Sequence, residues 1–466
     1  MDASQLLQSL YPYAEEYGVI KSFPEKGADA GEILAQLAAM AQNEDVVWEG
    51  GKCSGTMYSG DHDHYAMLNE AYSHFGHVNA LQRDMCMSMN RFESEIIAMT
   101  LDMLHGDAAD DACGTMTAGG TDSILNAMLS YREQAREERG ITQPEIIWPV
   151  TAHPAFRKAA HLFGMTIVPA PIDPETTLVD VDFVRAHVNE NTAVIIGSAG
   201  NYPYGTIDPI AELSEIALEH GVGLHVDGCL GGFILPWGQE LGYDIPVFDF
   251  RLPGVTSISA DTHKYGYGLK GTSVLAMRSK KLRQYQYFMV TDWKGGAYAS
   301  PGLAGSRSGG LIAATWTSMV TLGREGYLKR ARHIFETSFG MQEVVKSHPE
   351  LKIMGNPTFC FSFYSDEFDI YHVNDFMKTR GWRFNGQQNP NAIHLCVTGP
   401  QTQDGVLEMF TADLAEAVAY AKSPSQPKPK SGGMYGGGID GLDLSNEMLV
   451  KMFMTAAMDT FVEYPF

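Results

Sequence analysis

The chain lacks any apolar run long enough to cross a bilayer. Its longest stretches, such as residues 192–199, fall far short of the ~20 residues a spanning helix needs. Residues 1–20 lack a basic start followed by an apolar block and hold Glu15 and Glu16 instead, so no secretory signal is expected. Positive charge is scarce: 33 Lys and Arg face 56 Asp and Glu, a net charge of −23. That balance argues against nucleic acid or an anionic membrane as a bulk partner. It leaves room for an anionic small substrate, because a pocket needs only local positive charge. No C-x-x-C pair links the six cysteines, Cys53, Cys86, Cys113, Cys229, Cys360 and Cys396. In a chain of this size they read as reduced thiols. These absences together predict a cytoplasmic protein with no integral membrane segment.

What is present is a long chain with alternating patterns. At 466 residues it exceeds the size at which one hydrophobic core stops growing, so two domains are expected. Residues 1–55 read as a helical arm, with helices over 4–17 and 30–42 and a Gly/Pro break at 23–27. The following stretch, 56–325, reads as a large α/β domain. Strands are predicted at 145–151, 166–172, 193–198, 223–226, 255–259 and 273–277, and helices at 155–163 and 210–220. Alternation of this kind signals a mainly parallel sheet covered by helices, with ligands outside the carboxyl ends of its strands. A helix over 308–325 leads into residues 326–466, a smaller α+β unit with a Pro/Lys/Gly-rich loop at 423–438 and a last helix near 444–460.

Four segments carry chemistry. In Ile258-Ser-Ala-Asp261-Thr-His263-Lys264-Tyr-Gly266 a lysine follows a β-run. Attack on an aldehyde would need its amine unprotonated, which burial or nearby positive charge arranges; a plain surface lysine fits the position equally. In Leu224-His225-Val226-Asp227-Gly228 an acid ends a buried strand, where it can hold a pyridine nitrogen protonated or simply cap a turn. Asp227 and Lys264, one strand apart, say more as a pair than singly. Thr117-Ala-Gly119-Gly120-Thr121-Asp122-Ser123 opens a helix, a place suited to phosphate, but it lacks the lysine of a nucleotide loop. His153, in Thr151-Ala-His153-Pro154, follows a strand and can stack on a flat ring or serve a helix start. Asp61-His62-Asp63-His64 imitates a metal cluster if extended, yet no distant ligand set accompanies it, so no metal is expected. Met85, Met87 and Met89 read as core or pocket lining.

Together these segments resemble the fold-type I pyridoxal-phosphate enzymes of the group II decarboxylase superfamily, and within it the sphingosine-1-phosphate lyase family. The likeness extends through Ser54-Gly-Thr-Met-Tyr58-Ser-Gly60, Cys113 to Thr121, Asn201-Tyr202-Pro-Tyr204-Gly-Thr206, Asp227 to Phe233, Ser259 to Gly271, Thr291 to Ser300 and Ala304 to Gly310. It implies an α/β fold with a mainly parallel seven-stranded sheet and a smaller α+β C-terminal domain. It also implies pyridoxal 5'-phosphate as cofactor and retro-aldol cleavage of a phosphorylated long-chain base, with amino-acid decarboxylation as the alternative and an idle cofactor-binding scaffold as a third reading. By motif, Lys264 bears the cofactor, Asp227 pairs with its ring nitrogen and His153 stacks on the ring. Gly120, Thr121 and His263 hold its phosphate. Gly305 and Ser306, in the 305–310 loop, approach the cofactor phosphate of a neighbouring subunit, implying a homodimer. Tyr58 and Lys270 match positions that bind substrate phosphate, and Tyr202 a tyrosine beside the reacting carbons. One departure stands out. Where the family has Asn-Pro-Leu-His-Pro-Asp, this chain has Asn79-Ala-Leu-Gln82-Arg83-Asp84; Gln82 replaces the phosphate-contacting histidine, and Arg83 offers replacement charge if it faces inward.

Overall fold

A computed structural model describes residues 11–433 and 447–462. Its centre is a seven-stranded sheet built from β1 (Cys113–Thr117), β2 (Glu145–Pro149), β3 (Thr166–Ala170), β4 (Thr192–Ser198), β5 (Gly223–Gly228), β6 (Ser257–Ala260) and β7 (Ser273–Met277). They lie in the order β1-β7-β6-β5-β4-β2-β3. The pairs from β3 through β2, β4 and β5 to β6 are parallel, and β7 runs antiparallel to both its neighbours. β1, β4 and β7 are buried throughout, which is why they read as continuous apolar or small-residue runs rather than alternating ones. Helices Gly120–Arg139, Ala155–Phe163 and Ile210–His220 supply the crossovers.

A short hairpin of β8 (Phe288–Val290) and β9 (Tyr298–Ser300) precedes a long helical run, Gly309–Lys346. That run begins where the 308–325 helix was expected and continues well past it. Gly323, with φ 54°, interrupts the helical geometry without ending the run. Beyond it β10 (Lys352–Ile353), β11 (Cys360–Tyr364), β12 (Asn385–Gln387) and β13 (Ala392–Cys396) form an antiparallel sheet ordered β10-β11-β13-β12. Helices Tyr371–Thr379 and Val406–Ala421 accompany it.

At the amino-terminal side, Ala30–Glu49 is a helix longer than the expected 30–42, and only Ala14–Tyr17 of the 4–17 segment is helical among the described residues. Parts of the 423–438 loop and of the 444–460 helix lie outside the described residues; Glu447–Val462 is helical. All six cysteines are free thiols.

Two local expectations need correction. Asp61-His62-Asp63-His64 is not extended. Asp61 caps the helix His62–Phe75 through the His64 N–H, at 3.1 Å, because an aspartate carboxylate before a helix satisfies an otherwise unpaired amide. The helix turns the two histidines to different tasks: His62 pairs with Glu49 at 2.7 Å, and the buried His64 ring bonds the Tyr267 carbonyl at 2.9 Å. The methionine triplet also splits. Met89 is fully buried on helix Ser88–Met103, whereas Met85 and Met87 lie in the preceding loop and are 79% and 71% exposed.

Candidate active site

The site grows out of the carboxyl ends of β4, β5 and β6. Asp227 falls inside β5, opposite Ser259 of β6 in parallel register. Its Oδ1 accepts the Cys229 N–H at 3.0 Å and the Ser259 hydroxyl at 3.2 Å. Immediately after β6 the chain makes a compact turn: the Lys264 N–H reaches the Asp261 carbonyl (3.2 Å), and the Gly268 N–H reaches the Thr262 carbonyl (2.9 Å). This turn folds the Lys264 amine back to 3.0 Å from Asp261 Oδ2.

That ion pair changes the expected electrostatics of the lysine. Burial by itself pushes the Lys264 amine down, as the sequence suggested. The attraction of Asp261, aided by Tyr58 and Cys229, outweighs burial and raises the amine well above its usual value. With the site in this form Lys264 is an ammonium, and it must pass its proton on before acting as a nucleophile. Asp261 was quoted in the motif but given no role by sequence reasoning. The signal was available, since an acid directly after a strand stands at the same depth as the lysine one turn later.

His153 follows β2, and its Nδ1 accepts the Ala155 N–H at 3.2 Å. Burial lowers its pKa, against the opposing pull of Asp227, while Lys264 lowers it further and Asp261 raises it. A neutral imidazole is thus placed where the charges of Asp227, Lys264 and Asp261 all act on it. His263 is held by a 2.5 Å bond between its Nδ1 and the Thr272 carbonyl, and burial lowers its pKa too. Its Cε1 would lie 3.4 Å from a Cβ on Gly119, whose φ of +138° suits glycine. At Gly120 a Cβ would stand 2.7 Å from Asp261 Oδ2 and 2.9 Å from Cys229 Sγ. The glycine pair therefore lets the start of helix Gly120–Arg139 close on His263 and Asp261, with Thr121 exposed on its first turn.

Lys270 leaves the same β6–β7 connection. Its Nζ sits 4.5 Å from the centre of the Tyr58 ring and 3.3 Å from the His263 carbonyl. The Tyr58 ring meets Tyr265 edge-on at 5.0 Å. Although Lys270 as a residue is exposed, desolvation around its amine and the charge of Lys264 push the amine down to about 8. Tyr202 follows β4 in a turn fixed by Asn201, whose side chain accepts the Tyr204 N–H and donates to Thr206. The Tyr202 ring lies over the buried His394 of β13 at 4.2 Å and 30°, which brings the C-terminal sheet to the site. Sequence reasoning did not single out His394.

The 79–84 and 305–310 loops come together elsewhere. Asn79 bonds Ser306 Oγ (2.9 Å) and the Arg307 N–H (3.2 Å), and Gly309 bonds Val78. Glu93, 6% exposed, pairs with both Arg83 and Arg307, and Arg83 also bonds Asn90 at 2.9 Å. A buried carboxylate needs compensating charge, so it captures both arginines. Arg83 is committed to Glu93 rather than open to an incoming anion. Gln82 beside it is exposed, and Gly305 stands nearest the Tyr298 hydroxyl.

These residues fit a flat, phosphorylated pyridine aldehyde. A lysine amine, a buried carboxylate, a neutral imidazole and a glycine-lined helix start converge, and the buried Asp261 Oδ1 lacks a hydrogen-bond partner among the described residues. The comparisons point the same way. Residues 19–363 match the pyridoxal-dependent decarboxylase conserved domain. The chain is therefore a member of the pyridoxal-phosphate-dependent group II decarboxylase family of the fold-type I class. It is 43% identical to a sphingosine-1-phosphate lyase of Arabidopsis thaliana over 440 residues, 92% of this chain and 79% of that protein. It is 42% identical to one of Dictyostelium discoideum over 412 residues, 88% and 76% of the two chains. The solved structure of a sphingosine-1-phosphate lyase of Burkholderia pseudomallei superposes with a TM-score of 0.92 at 60% identity, covering 98% of this chain and all of that one. Within the family the chain belongs to the sphingosine-1-phosphate lyases, and it is a pyridoxal-phosphate-dependent lyase. A Lactobacillus brevis glutamate decarboxylase, 18% identical with a TM-score of 0.74 over 89% of this chain and 98% of that one, shares the fold.

Borohydride reduction of the holoprotein should fix the cofactor on Lys264. Mass spectrometry that located the reduced adduct on Lys270, or on no lysine, would overturn the assignment of the Asp261-paired amine.

Proposed function

We propose that the chain cleaves a phosphorylated long-chain 2-amino-3-hydroxy base between C2 and C3, giving a fatty aldehyde and phosphoethanolamine. The observation that supports this reading is the pairing of Lys270 with Tyr58 beside the Lys264 turn, a cation and a phenol next to the lysine assigned to the cofactor. Pyridoxal phosphate, when bound, supplies the electron sink for the electrons of the broken C2–C3 bond. Lys264 would carry the cofactor through its amine, and Asp261 would accept and return the proton at Nζ. Asp227 would face the ring nitrogen, His153 would pack on the ring, and Gly120, Thr121 and His263 would hold the cofactor phosphate. Tyr202 is assigned to orient the C3 hydroxyl; the one proton this hydroxyl gives up as C3 becomes the aldehyde carbon is balanced by the one proton that C2 gains.

Tyr58 and Lys270 take the substrate phosphate, with Gln82 adding an amide donor in place of the family's histidine. Arg83 serves Glu93 and steadies the loop. The 305–310 loop, with Gly305 and Ser306, completes the cofactor phosphate site of a second subunit, so the working unit is a homodimer. The described helices include none long and apolar enough to cross a membrane, in keeping with a cytoplasmic enzyme that meets its lipid substrate at a surface.

A charge-assisted contact to phosphate contributes roughly 1.5–3 kcal/mol, or about one to two decades in affinity. Lys270→Ala should therefore raise KM for sphingosine 1-phosphate more than Gln82→Ala does, with kcat less affected. Because the Lys270 amine is held down to about 8, it is charged below that pH and neutral above it. The KM for the phosphorylated base should thus rise as pH passes 8, and that rise should vanish in Lys270→Ala. Equal cleavage of sphingosine and its phosphate would remove the phosphate pocket, and carbon dioxide release from an amino acid would make the chain a decarboxylase.

The dimer makes its own forecast. An inactive Lys264→Ala protein mixed with an inactive Arg307→Ala protein should recover part of the activity, because each supplies what the other lacks. A fully active monomer by light scattering would refute the shared site.

A further inference from the structure

Behind Asp227 the sheet buries a line of polar side chains that the cofactor chemistry described so far does not use. Alternation along parallel strands produces it. His225 and Asp227 share one face of β5, and their register partners Ser257 and Ser259 share the same face of β6. Ser259 Oγ lies 3.2 Å from Asp227 Oδ1 and 3.3 Å from His225 Nε2. On the other side of the ring, His225 Nδ1 lies 2.7 Å from Ser257 Oγ. Ser257 Oγ is 2.6 Å from the Tyr131 hydroxyl, which is 2.7 Å from Thr256 Oγ1. His225, Ser257 and Ser259 are fully buried and Tyr131 nearly so. Tyr131 and Thr256 also line an open cavity of about 260 Å³ at the far end of this line.

The direction of the hydrogen bonds from Asp227 back to Tyr131 follows from one fixed end. A carboxylate accepts only, so the Ser259 hydroxyl donates to Asp227. Its oxygen then accepts, from the Cys229 thiol at 3.1 Å and from His225. His225 must therefore carry its proton on Nε2, leaving Nδ1 to accept from Ser257. Ser257 in turn accepts from Tyr131, where the line ends: the neighbouring Thr256 hydroxyl donates to the Leu224 carbonyl at 3.0 Å and accepts the Leu224 N–H at 2.9 Å. Burial supports this by pushing the His225 pKa down to about 4, against the pull of Asp227, so the ring stays neutral. Space has been made for the line as well: a Cβ on Gly223 would fall 2.3 Å from the Tyr131 ring. Tyr131 belongs to helix Gly120–Arg139, the helix whose first turn meets His263.

We propose that Tyr131, Ser257, His225 and Ser259 form a one-directional hydrogen-bond relay that fixes the Asp227 carboxylate in the orientation aimed at the cofactor's ring nitrogen. These are positioning residues; Asp227 alone meets the cofactor. The proposal rests on the assignment of Asp227 to the ring nitrogen. The relay adds directed hydrogen bonding to that carboxylate, since every donor in the line points toward it and aligned bonds reinforce one another.

The test uses the full-length protein and two readouts that need no turnover. Nitrogen-15 imidazole spectra of the cofactor-free protein should show His225 protonated on Nε2 at neutral pH. Titration of cofactor-free protein with pyridoxal phosphate, followed by fluorescence, gives the affinity. Ser259→Ala should weaken cofactor binding by about tenfold to a hundredfold, the weight of one hydrogen bond to a charged group, and Ser259→Thr should restore it. Tyr131→Phe keeps the ring packed on Gly223 and removes only the hydroxyl. It should loosen the single His225 tautomer and weaken binding by a few-fold, and it decides the matter if Ser259→Ala does not fold. A His225 proton on Nδ1 in the unaltered protein would overturn the relay, as would a Tyr131→Phe protein with unchanged tautomer and affinity. Neither result bears on which bond is cleaved, which product analysis reports separately.

Discussion

Two carboxylates, Asp227 and Asp261, are buried at the carboxyl ends of the adjacent strands β5 and β6, at 8% and 2% exposure, and the rest of the site depends on how each is compensated. Burying a charge is costly unless it is paired and hydrogen-bonded. Asp261 is answered by the Lys264 ammonium and, more distantly, by His263 at 3.7 Å. Asp227 is answered by donors alone, the Cys229 amide and the Ser259 hydroxyl. The two acids therefore stand differently. One is paired with the Lys264 amine, and the other is held by hydrogen-bond donors, as its proposed place at the cofactor's ring nitrogen requires. His153, a neutral imidazole within the field of both, completes a surface suited to a flat aromatic ring.

The same chassis serves different reactions. The glutamate decarboxylase that shares the fold at 18% identity shows how far the architecture persists while sequence changes. In the proposed reading, what distinguishes a lyase acting on a phosphorylated base lies outside the acid pair, at Tyr58 and Lys270 beside the Lys264 turn. There the lysine amine is held against a phenol ring and near a second lysine, an arrangement that favours binding an anion because the anion relieves the repulsion. The Gln82 departure sits on an exposed loop whose neighbouring arginine is held by Glu93.

Much of this was legible in the sequence because it is local. The 155–163 and 210–220 helices and the 273–277 strand fall where their periodicity places them, and Lys264 and Asp227 could be located from the strands that precede them. The 308–325 helix was found at its start and missed at its end, because Gly323 breaks the helical geometry without stopping the chain from resuming it. The extended reading of the D-H-D-H segment failed because Asp61 caps a helix that begins at His62. Apart from the Asp261–Lys264 pair and the Asp61 cap, the interactions that sequence reasoning missed are non-local. His394 reaches Tyr202 only because β13 packs against the β4 turn. Glu93 collects two arginines from loops far apart in the chain. The side chains behind Asp227 align only once β5 and β6 are in register. Composition and spacing carry no trace of such contacts.

The central claim is that a buried carboxylate, Asp227, makes the cofactor an effective acceptor of electrons. Asp227→Asn is nearly isosteric, and its direct measurement is the single-turnover rate of carbon–carbon cleavage in a variant shown to be folded and fully loaded with cofactor. The account predicts a rate lower by orders of magnitude, because a neutral amide cannot keep the ring nitrogen protonated. Near-native cleavage at normal cofactor content would contradict it and remove Asp227 from the mechanism.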